Sequence, residues 1–127
     1  MNAKARELRF RRLKEIGCLA CWMLGMPDVY PEIHHQNLDE HAGQKKLGDE
    51  FTVPLCGWHH QGHGPASLYE TLGPSLKRHP IEFRKRFGSD AVQLEKTNDL
   101  IRIRNEMAFG WRDSQAEAQH VISLEKQ

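Results

Sequence analysis

TVPLCGWHHQGH, residues 52–63, is the stretch on which the fold turns. Residues 51–55 read as a short strand, with Pro54 implying an edge or a bulge. Cys56-Gly-Trp-His59 then sets a thiol and an imidazole two residues apart. GWHHQ begins a helix, which Gly62 and Gly64-Pro65 end early. The complementary half stands upstream as Cys18-Leu-Ala-Cys21. Two such knuckles give four soft or borderline donors, the closed set that tetrahedral zinc prefers. Structural Zn²⁺ on Cys18, Cys21, Cys56 and His59 would tie the N-terminal turn to the strand–helix junction, adding stability that a small core lacks.

Working outward, residues 32–36 read as a second strand. The polar connector NLDEHAGQKKLGDE joins the two and is long enough to be a working loop. Consecutive strand residues face opposite ways. One of His34 and His35 can therefore bind a metal while its neighbour addresses another point in the same cleft. His59 and His60 diverge likewise, His59 towards the zinc and His60 towards a second site.

Residues 3–16 predict a basic helix with Leu8, Leu13 and Ile16 on one side and Gly17 as its stop. CLACWMLG reads as a tight turn, and residues 66–78 as a loop or a short helix broken by Gly73-Pro74. Pro80 opens a helix over 80–87 that Gly88 ends. Ser89-Asp90 caps a longer one over 90–109, with Val92, Leu100, Ile103 and Met107 as an interrupted apolar stripe, a core face or a dimer seam. Residues 110–127 read as a frayed helix or a tail. The organisation is thus a basic helix (1–16), a zinc-knuckle core (17–88), a C-terminal helix (89–109) and a tail (110–127).

Composition agrees with one small ordered domain: 127 residues, 39% apolar, 28% charged, mean hydropathy −0.68. No apolar run approaches a membrane span, and the charged first residues lack the apolar stretch of a signal peptide. Three cysteines without an export signal point to reduced, metal-binding use. Seven of the eight histidines fall between residues 34 and 79, in the window that holds Cys56. The net charge is only +1, yet residues 1–16 carry six bases against two acids. Residues 77–86 carry five bases against Glu82 alone. Two basic patches on a near-neutral chain suit a polyanion partner.

Two His-His pairs flanking a zinc knuckle, in the order strand, loop, strand, helix, resemble the plan of the ββα-metal, or HNH, nucleases. That resemblance implies an α+β fold, a small zinc-braced ββα-metal core with flanking helices. It implies His35 as the base that activates water, with His34 and His60 holding Mg²⁺ or another divalent cation against the scissile phosphate. Asp49 stands near the position where the family usually has Asn, and can still accept a hydrogen bond from the imidazole. The remaining ligand is His63 or His79.

A closer resemblance covers about residues 17–96. GCLACWMLG, EIHH, TVPLCGWHHQGHG and RHPIEFRKRFGSDAVQLEK are similar to the Ref family of phage and prophage recombination-enhancement nucleases. There a later His precedes a Phe-x-x-x-(Phe/Tyr)-Gly segment, here His79, Phe83, Phe87 and Gly88, which favours His79 as the third ligand. The family implies a DNA endonuclease acting on single strands or displaced loops held by RecA recombinase, in the cytoplasm of a bacterial or phage-infected cell. Arg9, Arg11, Arg12, Lys45, Lys46, Lys77 and Arg78 would then meet phosphates, a sequence-independent contact. Trp22 and Trp58, within the knuckles, are expected to pack the core more than to stack on bases. A zinc-containing module that binds DNA or a recombinase without turnover is the alternative, and a purely structural zinc protein a second.

Overall fold

The structure, a computed structural model, describes residues 1–40 and 45–109. His41 and the 110–127 segment lie outside the described residues. Six helices and one two-stranded antiparallel sheet make an α+β domain among them. No helix among the described residues is long and apolar enough to cross a membrane.

Helix α1, Ala3–Ile16, starts where the Asn2 side chain accepts from the Ala5 N–H at 2.8 Å. It ends at Gly17, whose φ of 81° suits glycine. Leu13 and Ile16 are buried as expected, but Leu8 is 41% exposed. Five residues separate Leu8 from Leu13, about 140° around a helix. Arg9, one turn before Leu13, takes the inward position instead. Its Nε–H donates to Thr52 Oγ1 at 2.8 Å, Nη2 to the Thr52 carbonyl at 2.6 Å, and Nη1 to Asn98 Oδ1 at 2.8 Å.

The sheet explains that carbonyl. Strand β1, Glu32–His35, pairs with β2, Thr52–Leu55, and the Gln36 N–H bonds the Phe51 carbonyl in the same register. Hydrogen-bonded and non-bonded pairs alternate along an antiparallel ladder. Ile33↔Pro54 and His35↔Thr52 are accordingly non-bonded pairs. Pro54 therefore costs the ladder nothing and needs no bulge, and the Thr52 carbonyl points outward into the reach of Arg9. Arg9→Ala is expected to destabilise the domain by about 1.5–3 kcal/mol, because charged donors leave a buried carbonyl. A urea midpoint unchanged from wild type would show that α1 docks without it.

Between the cysteines the chain forms helix α2, Leu19–Met23, not a plain turn. Cys18 caps it, its Sγ accepting from the Cys21 N–H at 3.4 Å. Helix α3, Gly57–Gln61, is capped the same way by Cys56 and closes at Gly62, φ 73°. Helix α4, Leu68–Leu72, ends at Gly73, and α5, Pro80–Phe87, runs from Pro80 to Gly88. Phe83 and Phe87 are buried and stack 4.9 Å apart, joining Ile16, Leu19, Val53, Leu55 and Trp58 in the core. Trp22 belongs to the same core.

Helix α6, Asp90–Phe109, occupies the expected range and buries Leu100 and Ile103 of the expected stripe, but its first turns face inward differently. Val92 is 39% exposed, whereas Gln93, Thr97, Leu100 and Ile103 are buried. The polar pair is satisfied locally: Gln93 Nε2 donates to the Gly88 carbonyl at 2.8 Å and Thr97 Oγ1 to the Gln93 carbonyl at 2.9 Å. Buried polar groups cost little once bonded, so Gln93 and Thr97 take the inward place that Val92 does not.

Candidate active site

The two knuckles converge in the core. Cys18, Cys21, Cys56 and His59 place their ligand atoms within 4.8 Å of one another, all buried. Cys21 Sγ and Cys56 Sγ are 3.8 Å apart. His59 Nδ1 lies 3.5, 3.4 and 3.3 Å from the sulfurs of Cys18, Cys21 and Cys56. A tetrahedral zinc requires S···S edges of about 3.8 Å and S···N edges of about 3.6 Å, from its bond lengths. The cluster can hold zinc without rearrangement.

Its surroundings complete the fit. The Leu72 carbonyl lies 2.7 Å from His59 Nε2 and can only accept, so that nitrogen carries the proton and Nδ1 turns its lone pair to the sulfurs. Burial lowers the His59 pKa, but hydrogen bonds to Cys18, Cys56 and the Leu72 carbonyl raise it to about 10. A bound cation would take the place of the Nδ1 proton that this raised value reflects. Phe87 packs edge-on to the imidazole at 5.3 Å and excludes water from it.

The second cluster forms where β1 faces α3. Glu32 and His34, two residues apart on one strand face, both reach His60. Glu32 Oε1 lies 2.8 Å from His60 Nδ1, and His34 Nδ1 lies 3.2 Å from His60 Nε2. The carboxylate only accepts, so His60 Nδ1 is protonated and Nε2 presents its lone pair towards His34. Adjacent nitrogen ligands on one cation are about 2.9–3.4 Å apart at ordinary bond lengths. That spacing would let both imidazoles meet one divalent ion, and equally suits a hydrogen bond between them. Burial, and then the charges of His60, Arg84, His35 and Lys46, push the His34 pKa down to about 3. His34 is thereby kept neutral.

His35 points to the other face of β1. Its Nε2 lies 2.9 Å from Asp49 Oδ1, and its ring meets Phe10 edge-on at 6.4 Å. Asp49 Oδ2 is 3.8 Å from Arg6 Nη1. His34, His35 and His60 nonetheless border one open cleft of about 690 Å³, which Glu40, Lys46, Lys77 and Arg84 also line.

The expected residues are thus divided. His79 does not line this cleft: its Nδ1 accepts from the Ser75 N–H at 3.1 Å, and its ring packs 4.9 Å from Tyr69 and 6.4 Å from Trp58. His63 is exposed and also outside the lining. Among the basic residues, Lys46 and Lys77 line the cleft, while Arg11 and Lys45 are exposed elsewhere. Arg9 is held by Thr52, Arg12 bonds Asn105 and Glu15, and the Arg78 guanidinium lies 5.5 Å over Trp58. The Trp58 Nε1–H reaches the Gly73 carbonyl at 3.0 Å, in keeping with a core role. Sequence reasoning missed Glu32 and Glu40, and placed Arg6 and Arg84 only within the two basic segments. Glu32 was discoverable, since period two on a strand puts it beside His34.

No curated protein matches the chain. The family model described as recombination enhancement, RecA-dependent nuclease, matches residues 2–108, from the cap of α1 through nearly all of α6, and the chain belongs to that family.

Proposed function

We propose that the cleft is the active site of an HNH-type, metal-dependent DNA endonuclease that acts on single-stranded or RecA-bound recombination DNA. The observation that carries the reading is the facing of His34 Nδ1 and His60 Nε2 at 3.2 Å, beside a separate His35–Asp49 couple at 2.9 Å. Ligand and base are then different groups in one cleft, as hydrolysis of a phosphodiester demands.

His34 and His60 would hold the divalent ion, Mg²⁺ or a first-row metal, and imidazole donors favour the latter. When bound, that ion supplies Lewis-acid stabilisation of the charge building on phosphate. Glu32 orients His60 from behind, fixing which nitrogen faces the cleft. Asp49 takes the Nε2 proton of His35 as a hydrogen bond, so Nδ1 is free to remove a proton from water. The zinc centre, Zn²⁺ on Cys18, Cys21, Cys56 and His59, stays structural: its four donors leave no open position. Its part is to hold α3, and so His60, against β1.

Lys46, Lys77 and Arg84 give the cleft a cationic rim for the DNA backbone. The family to which the chain belongs names RecA dependence, and a recombinase-coated strand would offer extended, unpaired DNA to this rim.

The deciding experiment offers wild type labelled single-stranded DNA, naked and RecA-coated, with Mg²⁺ or Mn²⁺ added. Cuts on the coated strand, few on the naked one, are expected. Binding without cuts on either, across both cations, would overturn the nuclease reading in favour of a zinc-braced binding module.

A further inference from the structure

Arg84 stands on the last turn of α5 with its side chain in the cleft. A guanidinium carries five N–H donors in a planar fork. Its Nε–H donates to Asp90 Oδ1 at 3.0 Å, and Glu40 Oε2 lies 2.6 Å from the same nitrogen. Among the described residues, the two terminal nitrogens have no hydrogen-bond partner. They are the pair that clamps a phosphate through two parallel bonds.

The two carboxylates are not equivalent. Asp90 is 12% exposed at its side chain, and its Oδ2 is buried with no hydrogen-bond partner among the described residues. Its backbone carbonyl is held by Gln36 Nε2 at 2.7 Å, so it cannot shift easily. Asp90 alone neutralises the arginine and fixes its plane. Glu40 is the second anion on a cation that needs one. Its side chain is 38% exposed, and its backbone sits at φ 62°, a left-handed conformation uncommon outside glycine.

We infer that Arg84 is the phosphate-binding arginine of the cleft, oriented by Asp90 with its terminal nitrogens open to a phosphate, and that Glu40, a second carboxylate at Nε, competes with DNA for the same guanidinium until DNA displaces it. The exchange swaps one anion for another at the same guanidinium, so the charge balance of the cleft is kept. It also raises specificity: an anion that cannot bridge both terminal nitrogens does not repay the loss of Glu40. This rests on the cleft receiving DNA, as proposed above, but not on its cutting.

The test is equilibrium binding of a fluorescein-labelled single-stranded oligonucleotide, followed by anisotropy over a salt series without added divalent ion. Glu40 is exposed, and Glu40→Gln folds without cost to the core. It is expected to tighten binding about 1.5- to fivefold, the range of a removed exposed charge contact. Arg84→Gln should weaken binding about tenfold and lower the salt slope by about one. Arg84→Lys, which keeps the charge and the partner of Asp90, should recover the salt slope but only part of the affinity. The decisive arm is Glu40→Gln combined with Arg84→Lys or Arg84→Gln, in which the gain from Glu40→Gln should shrink or vanish.

A gain of the same size in all three backgrounds would mean that Glu40 repels DNA generally, and would overturn the exchange. So would no gain in the wild-type background. A wild type that binds no naked strand would overturn this inference and leave the nuclease reading to the cleavage assay on RecA-coated DNA, whereas binding with intact Glu40–Arg84 coupling and no cleavage would leave this one standing alone.

Discussion

Cys56→Ser is expected to unfold the domain outright, and stripping zinc with a strong chelator to do the same to wild type. The four donors sit where α2, α3, β2 and the end of α4 meet, with Phe87 and Phe83 packed on His59. Structural zinc contributes about 10–16 kcal/mol in small knuckle folds, against about 5–15 kcal/mol for the whole stability of a domain. Loss of the metal therefore exceeds what the remaining core can hold. Far-ultraviolet circular dichroism after chelation, alongside elemental analysis showing one tightly held zinc per chain, is the check. A Cys56→Ser protein that keeps its thermal midpoint and contains no zinc would show a buried thiol cluster and nothing more. Ordered burial argues against that: three thiols around one imidazole nitrogen, each within 3.5 Å, is an arrangement that apolar packing alone has no reason to produce.

Much of this centre was legible before any coordinates, because ligand spacing is a local property. A two-residue gap makes a turn whose side chains converge, wherever the turn later sits. The element boundaries were legible for a similar reason: Gly17, Gly62, Gly73 and Gly88 all take positive φ at helix ends, and Pro80 opens α5. What failed was the assignment of faces. Leu8 and Val92 were counted inward on hydropathy, yet Arg9 and Gln93 hold those places. Their stability comes from backbone carbonyls of Thr52 and Gly88, and hydropathy has no term for a polar side chain that finds a buried acceptor. The cleft divides in the same way. His34, His35 and His60 could be placed by strand and knuckle periodicity. His79 could not, since whether a loop folds back depends on its contacts with Ser75, Tyr69 and Trp58, which have no local signature. The Arg84–Glu40 contact joins residues 44 positions apart and has no local signature at all.

His35→Ala is expected to reduce DNA cleavage by about 10²–10⁴-fold, the usual contribution of a positioned general base, with DNA binding unchanged. The side chain is 31% exposed, so its removal disturbs little packing. Asp49 separates a base from a bystander. Its Oδ1 fixes the proton on His35 Nε2, and an amide oxygen at the same place could still accept that bond. Asp49→Asn should therefore lose only the charge that steadies the imidazolium, a loss of about tenfold. Asp49→Ala releases both the tautomer and the ring, and should fall most of the way to His35→Ala. The ordering His35→Ala, then Asp49→Ala, then Asp49→Asn, is specific to a histidine that accepts a proton while held from behind. Single-turnover rates on RecA-coated DNA, with each variant's binding measured beside them, give the comparison. Cleavage by His35→Ala within threefold of wild type would remove His35 from the chemistry and shift the role of base to water bound near His34 and His60. Equal losses in both Asp49 variants would instead mean that the carboxylate's charge is required, through its ion pair with Arg6, and that the hydrogen bond to His35 is secondary.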